Sequence, residues 1–188
     1  MSNIETSPIA DTLYMKQLEF PELRQTYKWD CGAKALQAVL TYYGIEIREE
    51  LLIKYAKTDS KNGTSILKMQ YVLKKFKLKF DAKSMTIKDL KDYIDREIPI
   101  IILLQAWNGK NINYTNDFHD GHWVVVIGYD TEKIIFEDPY SFERTFLKNK
   151  ELENRWHAKE NGNKIFNYGI AVFGKKPKYN SDKIIHMD

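Results

Sequence analysis

Apolar residues recur at helical spacing in the first half of the chain and in short runs or alternations in the second half. This pattern predicts helices over 31–43, 48–57, 65–76, 86–94 and 149–157. Strands are predicted over 77–83, 100–105, 122–129, 133–138 and 164–173. Because the helices come first and the strands cluster afterwards, the sequence predicts an α+β fold, with N-terminal helices packed on a mainly antiparallel sheet.

The chain has 188 residues, the length of one ordinary domain, and no repeat or low-complexity tract divides it. We predict a lead-in segment over 1–19, the domain itself over 20–174 and a polar tail over 175–188. Hydrophobic residues make up 43% and charged residues 29%, a balance that excludes wholesale disorder. With one cysteine, Cys31, the chain has no intramolecular disulfide.

Charge and hydropathy exclude two classes of partner. The 29 basic and 26 acidic side chains leave a net charge of +3, which is too small to indicate nucleic-acid binding. The longest apolar run, 100–104, is far shorter than the roughly 20 residues that cross a bilayer. The first ten residues also lack the basic and apolar regions of a signal peptide. We therefore expect a cytoplasmic protein that does not span the membrane.

Cys31 lies at the predicted start of the first helix, between Asp30 and Gly32. Unpaired backbone N–H groups and the positive end of the helix dipole favour a thiolate at such a position. Gly32 would allow another group to approach the sulfur closely. The alternative is that Cys31 is only an apolar residue of the core.

A nucleophilic cysteine needs a base, and His122 and Asp138 stand at the start and end of two adjacent predicted strands. A hairpin with a three-residue loop over 129–131 would place His122 directly opposite Asp138, on one face of the sheet. The carboxylate would then fix the imidazole, leaving its other nitrogen free for the thiol proton. Taken singly, His122 could be an ordinary strand residue and Asp138, before Pro139, a turn former.

Gln25 precedes Cys31 by six residues, and its amide could pair with the Cys31 backbone N–H to form an oxyanion hole. A plain surface residue is the alternative. His119 and His122 invite a metal site, but no second cysteine supports one and a metal would block the base. We therefore expect no cofactor.

Two other features have simpler explanations than a function. The lysines between Lys68 and Lys83 could attract an acidic peptide, although a solvated helix face and a protected sheet edge account for them. Trp107, Trp123 and Trp156 are interpreted as core or cleft-wall aromatics rather than platforms for base stacking.

Several motifs together resemble the C39 cysteine peptidases, the bacteriocin-processing or double-glycine peptidases. The first motif comprises Gln25, Asp30-Cys31-Gly32, Leu36 and Tyr42-Tyr43-Gly44. The second comprises the run from Gly121 to Tyr129 followed by Asp138-Pro139. Trp156 and Tyr168-Gly169-Ile170 are similar to the C-terminal part of the family, so the resemblance covers about residues 20–174.

This resemblance implies a papain-like fold with Cys31 as nucleophile, His122 as general base and acid, Asp138 as its orienting partner and Gln25 as oxyanion donor. It also implies a bacterial peptidase whose substrate is cut after a Gly-Gly pair. We expect Trp29, Gly32, Gly121 and Trp123 to line the substrate channel. Because the 188 residues carry no transmembrane run and no P-loop, we expect a stand-alone form without exporter domains.

Three functions compete at this point. The leading hypothesis is a thiol peptidase acting on a leader peptide, or on a Gly-Gly site in a target protein if the domain is a toxin delivered elsewhere. An exporter or an immunity protein would be the partner in these two cases. The others are a different papain-like activity, such as an amidase or acyl transferase, and a catalytically silent module that captures leader peptides.

Overall fold

The computed structural model describes residues 14–109, 113–175 and 179–187, and within them five α-helices and nine strands. The helices are α1 (Cys31–Tyr42), α2 (Glu49–Ala56), α3 (Ile66–Lys75), α4 (Ile87–Asp95) and α5 (Asn149–Arg155). The strands are β1 (Lys16–Gln17), β2 (Lys79–Ser84), β3 (Ile100–Gln105), β4 (Gly121–Tyr129), β5 (Lys133–Glu137), β6 (Thr145–Lys148), β7 (His157–Glu160), β8 (Asn163–Phe166) and β9 (Tyr168–Phe173). The predicted α+β class is confirmed.

Side-chain caps set the starts of two helices. The Thr86 hydroxyl accepts the backbone N–H of Asp89, and the Asp89 carboxylate accepts that of Thr86, so α4 begins with a complete capping box. Ser65 caps α3 by accepting the N–H of Lys68. None of the helices among the described residues is long and apolar enough to cross a membrane.

The main sheet has the strand order β2-β9-β3-β4-β5-β6, with every pair antiparallel, and β1 pairs with the far end of β4. Strand β3 lies at the centre of this sheet and is buried along its whole length, and α1 packs against β4. Strand β2 lies at the edge of the sheet, as its lysines predicted. Strands β7 and β8 form a separate hairpin.

Three local predictions differ from the structure. The predicted strand over 164–173 is two strands, because Asn167 adopts a left-handed conformation (φ 54°) between them. The predicted helix over 149–157 ends at Arg155, and His157 already begins β7. The short strands β1, β6 and β7 were not predicted, since segments of two to four residues carry too little periodicity to show an alternation.

The hairpin of β4 and β5 also differs from the predicted register, because an irregularity interrupts it at Ile127. On the turn side, Gly128 pairs with Ile135, whereas beyond Ile127 the pairs are Val126 with Phe136 and Val125 with Glu137. An extra residue in one strand exchanges the faces to which its later side chains point. The β-bulge therefore decides whether His122 and Asp138 lie on the same face of the sheet.

Gly128, beside the bulge, lies directly against β1, where it pairs with Gln17. A Cβ atom at Gly128 would lie 2.7 Å from the Lys16 carbonyl oxygen and 3.1 Å from Cα of Gln17. Gly128→Ala should therefore push β1 off the sheet and lower the free energy of unfolding by about 1–3 kcal/mol. Urea denaturation measures this change.

Gly121→Ala is the matched control, because its new Cβ would only make an ordinary 3.8 Å contact with Leu103. Its unfolding curve should overlay that of the wild type. A Gly128→Ala protein as stable as Gly121→Ala would contradict the close β1–β4 contact.

Candidate active site

Helix α1 brings Cys31 to the floor of a cleft of about 450 Å³. Cys31 is 8% exposed and is the first residue of the helix. The Asp30 carboxylate does not cap the helix but accepts the backbone N–H groups of Thr26 and Tyr27 in the preceding loop. The first N–H groups of α1 are thus left without a side-chain cap beside the sulfur, where they favour a negative charge.

His122 and Asp138 are hydrogen-bonded to each other in the interior. Nε2 of His122 lies 2.7 Å from Oδ1 of Asp138, and both side chains are less than 10% exposed. The predicted pairing of these two residues directly across the hairpin is wrong by two positions. Continuing the observed register one residue beyond the pair of Val125 and Glu137 places Asp138 opposite Val124. A shift of two residues preserves the face of the sheet, so the contact forms on the diagonal.

The pKa of His122 reflects its burial and two neighbours. Burial lowers it, but hydrogen bonds to Asp138 and Cys31, together with the charges of both, outweigh the burial and raise it to about 9. Because Nε2 is taken by Asp138, Nδ1 is the nitrogen that remains for Cys31. An imidazole that holds its proton at neutral pH favours the thiolate form of an adjacent cysteine.

Asp138 is held as an acceptor by four donors. Besides His122, its carboxylate accepts the backbone N–H of Tyr140 at 3.0 Å, the indole N–H of Trp107 at 3.1 Å and the hydroxyl of Thr145 at 3.3 Å. Burial raises the pKa of Asp138, but the bonds and charge of His122 and the N–H donors hold it below its usual range. The carboxylate is therefore ionised and fixed in orientation.

Trp107, which the sequence predicted only to be a core or cleft-wall aromatic, is bonded to Asp138 in this site. Its ring packs on that of Tyr140 at 5.0 Å, and Tyr140 in turn presents its ring to the edge of His122. Trp107 is 48% exposed and has a left-handed backbone (φ 69°), which is a strained conformation for a bulky residue. The two aromatics cover the His122–Asp138 pair. Trp107 follows β3, and the pairing of β3 with β4 brings it close to Asp138. Sequence periodicity does not fix this pairing.

The segment preceding the site is anchored by a buried carboxylate, Glu137. It accepts hydrogen bonds from the guanidinium groups of Arg24 and Arg144 and from the backbone N–H of Leu23 at 2.8 Å. Since Glu137 directly precedes Asp138, this cluster ties the approach to α1 to the end of β5. No local pattern predicts this cluster, because Leu23 and Arg24 are 114 and 113 residues from Glu137 in the chain.

Gln25 lies on this anchored segment, where its backbone N–H donates to the carbonyl oxygen of Pro139 at 2.9 Å. Its side-chain amide donates to the Tyr27 carbonyl at 2.8 Å. Its buried amide oxygen has no hydrogen-bond partner among the described residues. An amide nitrogen carries two hydrogens, so one donor of Gln25 remains for a ligand.

The cleft beside Cys31 is lined by several residues that the sequence analysis singled out, namely Trp29, Gly121, Trp123 and also His119. Trp29 stacks on Tyr27, and the indole N–H of Trp123 donates to the Thr64 carbonyl. Gly32 is placed differently, since the side chains of Thr64 and Trp123 pack against it. The close approach expected at Gly32 is thus made by the protein's own side chains.

A cysteine at a helix start, a buried histidine and an ionised carboxylate in this order form the arrangement of a nucleophilic thiol hydrolase. The family model of the peptidase C39 family matches residues 19–159. The chain therefore belongs to the peptidase C39 family, which is a family of cysteine peptidases.

Solved structures support the same fold. The peptidase domain of Streptococcus ComA, a bi-functional ABC transporter involved in quorum sensing, is 23% identical, with a TM-score of 0.63 over 81% of this chain and 97% of that domain. A double-glycine-motif protease from an AMS/PCAT transporter, solved with its leader peptide, is 18% identical, with a TM-score of 0.62 over 84% of this chain and 93% of that one. The chain matches none of the curated proteins.

The protonation of His122 gives a direct test of the site's electrostatics. Its ring should keep its proton through neutral pH and lose it as the pH rises through about 9. The ring-nitrogen NMR signals of ¹⁵N-labelled protein measure this, with His122→Gln identifying the resonance.

Asp138→Asn should lower the midpoint, because the variant removes the negative charge that stabilises the imidazolium. A wild-type midpoint near the ordinary value of about 6.5 would contradict the buried ion pair.

Proposed function

We propose that this protein is a cysteine endopeptidase that cleaves a peptide bond after a Gly-Gly pair, most directly in a leader peptide. The observation that carries the proposal is the bonded His122–Asp138 pair beside Cys31, at the floor of a cleft with tryptophan walls. Membership of the C39 family and the likeness to a protease solved with its leader peptide support it.

In the proposed reaction, the Cys31 thiolate attacks the carbonyl carbon of the second glycine and forms the C–S bond. The negative charge moves to the carbonyl oxygen, which the Cys31 backbone N–H and the free donor of Gln25 stabilise. Nδ1 of the His122 imidazolium then gives its proton to the leaving amine, and the C–N bond breaks. A water molecule, deprotonated by His122, hydrolyses the thioester and restores the thiolate–imidazolium pair.

The cleft walls supply a reason for the preference for glycine. Trp29 and Trp123 line the cleft beside Cys31, and Trp123 is held by its bond to Thr64 and is nearly fully buried. A side chain on either substrate glycine would have to displace a fixed indole ring. Exclusion by steric clash discriminates more strongly than the absence of a favourable contact.

The test is a cleavage series on one precursor peptide carrying Gly-Gly, Gly-Ala or Ala-Ala at the cut site, read by mass spectrometry. The Gly-Gly peptide should be cut at the predicted bond, and the Ala-Ala peptide at least about tenfold more slowly. Cys31→Ala protein is the control and should cut none of them.

The results distinguish peptidase activity from specificity for the Gly-Gly pair. Equal cleavage of all three peptides would remove the double-glycine specificity and leave the peptidase. No cleavage of any peptide by protein whose Cys31 is shown to be reduced would contradict the peptidase itself.

A further inference from the structure

A second cavity, of about 390 Å³, borders Asp138 and shares no lining residue with the Cys31 cleft. Asp138 and Trp107, which belong to the site, form part of its wall. Leu104, the cross-strand partner of His122, forms another part. The remaining wall is mainly apolar and includes Val124, Phe136 and Leu147. Apart from Asp138 and the side chains that bond to it, none of these residues has a role in the proposed reaction.

The position of the cavity beside Asp138 suits the part of the substrate that lies downstream of the cut. The acyl half of the scissile bond stays with Cys31, in the cleft that contains Trp29 and Trp123. The leaving amine must lie against His122, which gives it a proton. The chain that continues downstream of the cut therefore leaves on the His122 side, where the second cavity opens beside Asp138 and Trp107.

One charged group in the cavity lacks an acceptor. The guanidinium of Arg155 is half-buried in the cavity wall and lies 4.3 Å from the ring centroid of Tyr114. It forms no hydrogen bond or ion pair with any described residue. Arg24 and Arg144, by contrast, are both bonded to Glu137. A guanidinium has five donors in a planar fork that matches a carboxylate, so Arg155 is placed to bind one.

We infer that this cavity binds the residues directly downstream of the scissile bond, and that it takes a large apolar side chain next to a carboxylate. The inference rests on the proposed peptidase function and adds a substrate class to it. Ligand pockets typically hold about 300–1,000 Å³, so this cavity suits one or two side chains. The apolar walls recognise the first residue, and Arg155 pairs with an acidic group on the next.

The experiment measures binding, without turnover, to Cys31→Ala protein by fluorescence polarisation. Three peptides share one sequence and a distal fluorophore, and differ only after the Gly-Gly pair, where they carry Leu-Glu, Leu-Gln or Ser-Glu. The Leu-Glu peptide should bind about five- to tenfold more tightly than either of the others. The Leu-Gln peptide loses the charge-assisted bond to Arg155, and the Ser-Glu peptide loses the apolar contact.

Two further substitutions assign the contributions. Arg155→Met, which keeps an apolar stem, should abolish the difference between Leu-Glu and Leu-Gln and keep that between Leu-Glu and Ser-Glu. Leu147→Trp, which fills the cavity, should do the reverse. Arg96→Met is the control: Arg96 also lies over a tyrosine ring, that of Tyr93 at 5.8 Å, but does not line either cavity. It should change nothing.

Equal affinities for the three peptides, no measurable binding of any of them, or a Glu preference that persists in Arg155→Met would each overturn the inference. Cleavage of the same peptides by the wild type is scored separately. Binding with the expected pattern but without cleavage would contradict the proposed function and keep the subsite. Equal cleavage rates for all three peptides would keep the peptidase and overturn the subsite.

Discussion

The hydrogen bond between His122 and Asp138 is the interaction on which the site depends, and it exists because of one irregularity in the sheet. Without the bulge at Ile127, the turn-side register would set Asp138 opposite Val125, on the face away from His122. The bulge exchanges the faces and brings the carboxylate within 2.7 Å of the imidazole. Strand β1 packs against Gly128, next to the bulge, so a strand outside the hairpin fixes the backbone that sets the register.

Two anchors then fix the remaining groups around this bond. Trp107, together with Tyr140 and Thr145, saturates the Asp138 carboxylate, which can rotate only by breaking several hydrogen bonds. Glu137 binds the loop that carries Gln25 and leads into α1, so the start of α1 at Cys31 is joined to the end of β5 beside Asp138. This arrangement holds Cys31, His122 and Asp138 close together, which is the preorganisation that the proposed mechanism requires.

Much of the fold and the positions of Cys31, His122 and Asp138 in it could be predicted from the sequence, because local signals report them. Helical periodicity located α1 and its start at Cys31, and two apolar runs located β4 and β5 with His122 and Asp138 at their ends. The register could not be predicted, since a bulge has no signature in hydrophobic alternation. The contacts of Trp107, Glu137 and Arg155 could not be predicted either, because they join distant parts of the chain.

The pairing of Cys31 and His122 as thiolate and imidazolium is tested by alkylation of the single cysteine. The rate of reaction with iodoacetamide is measured against pH for the wild type and for His122→Ala. We predict that wild-type Cys31 reacts readily at neutral pH, and that in His122→Ala the rate rises only above about pH 8, as for an ordinary thiol. Two superimposable profiles, both rising only above pH 8, would contradict it.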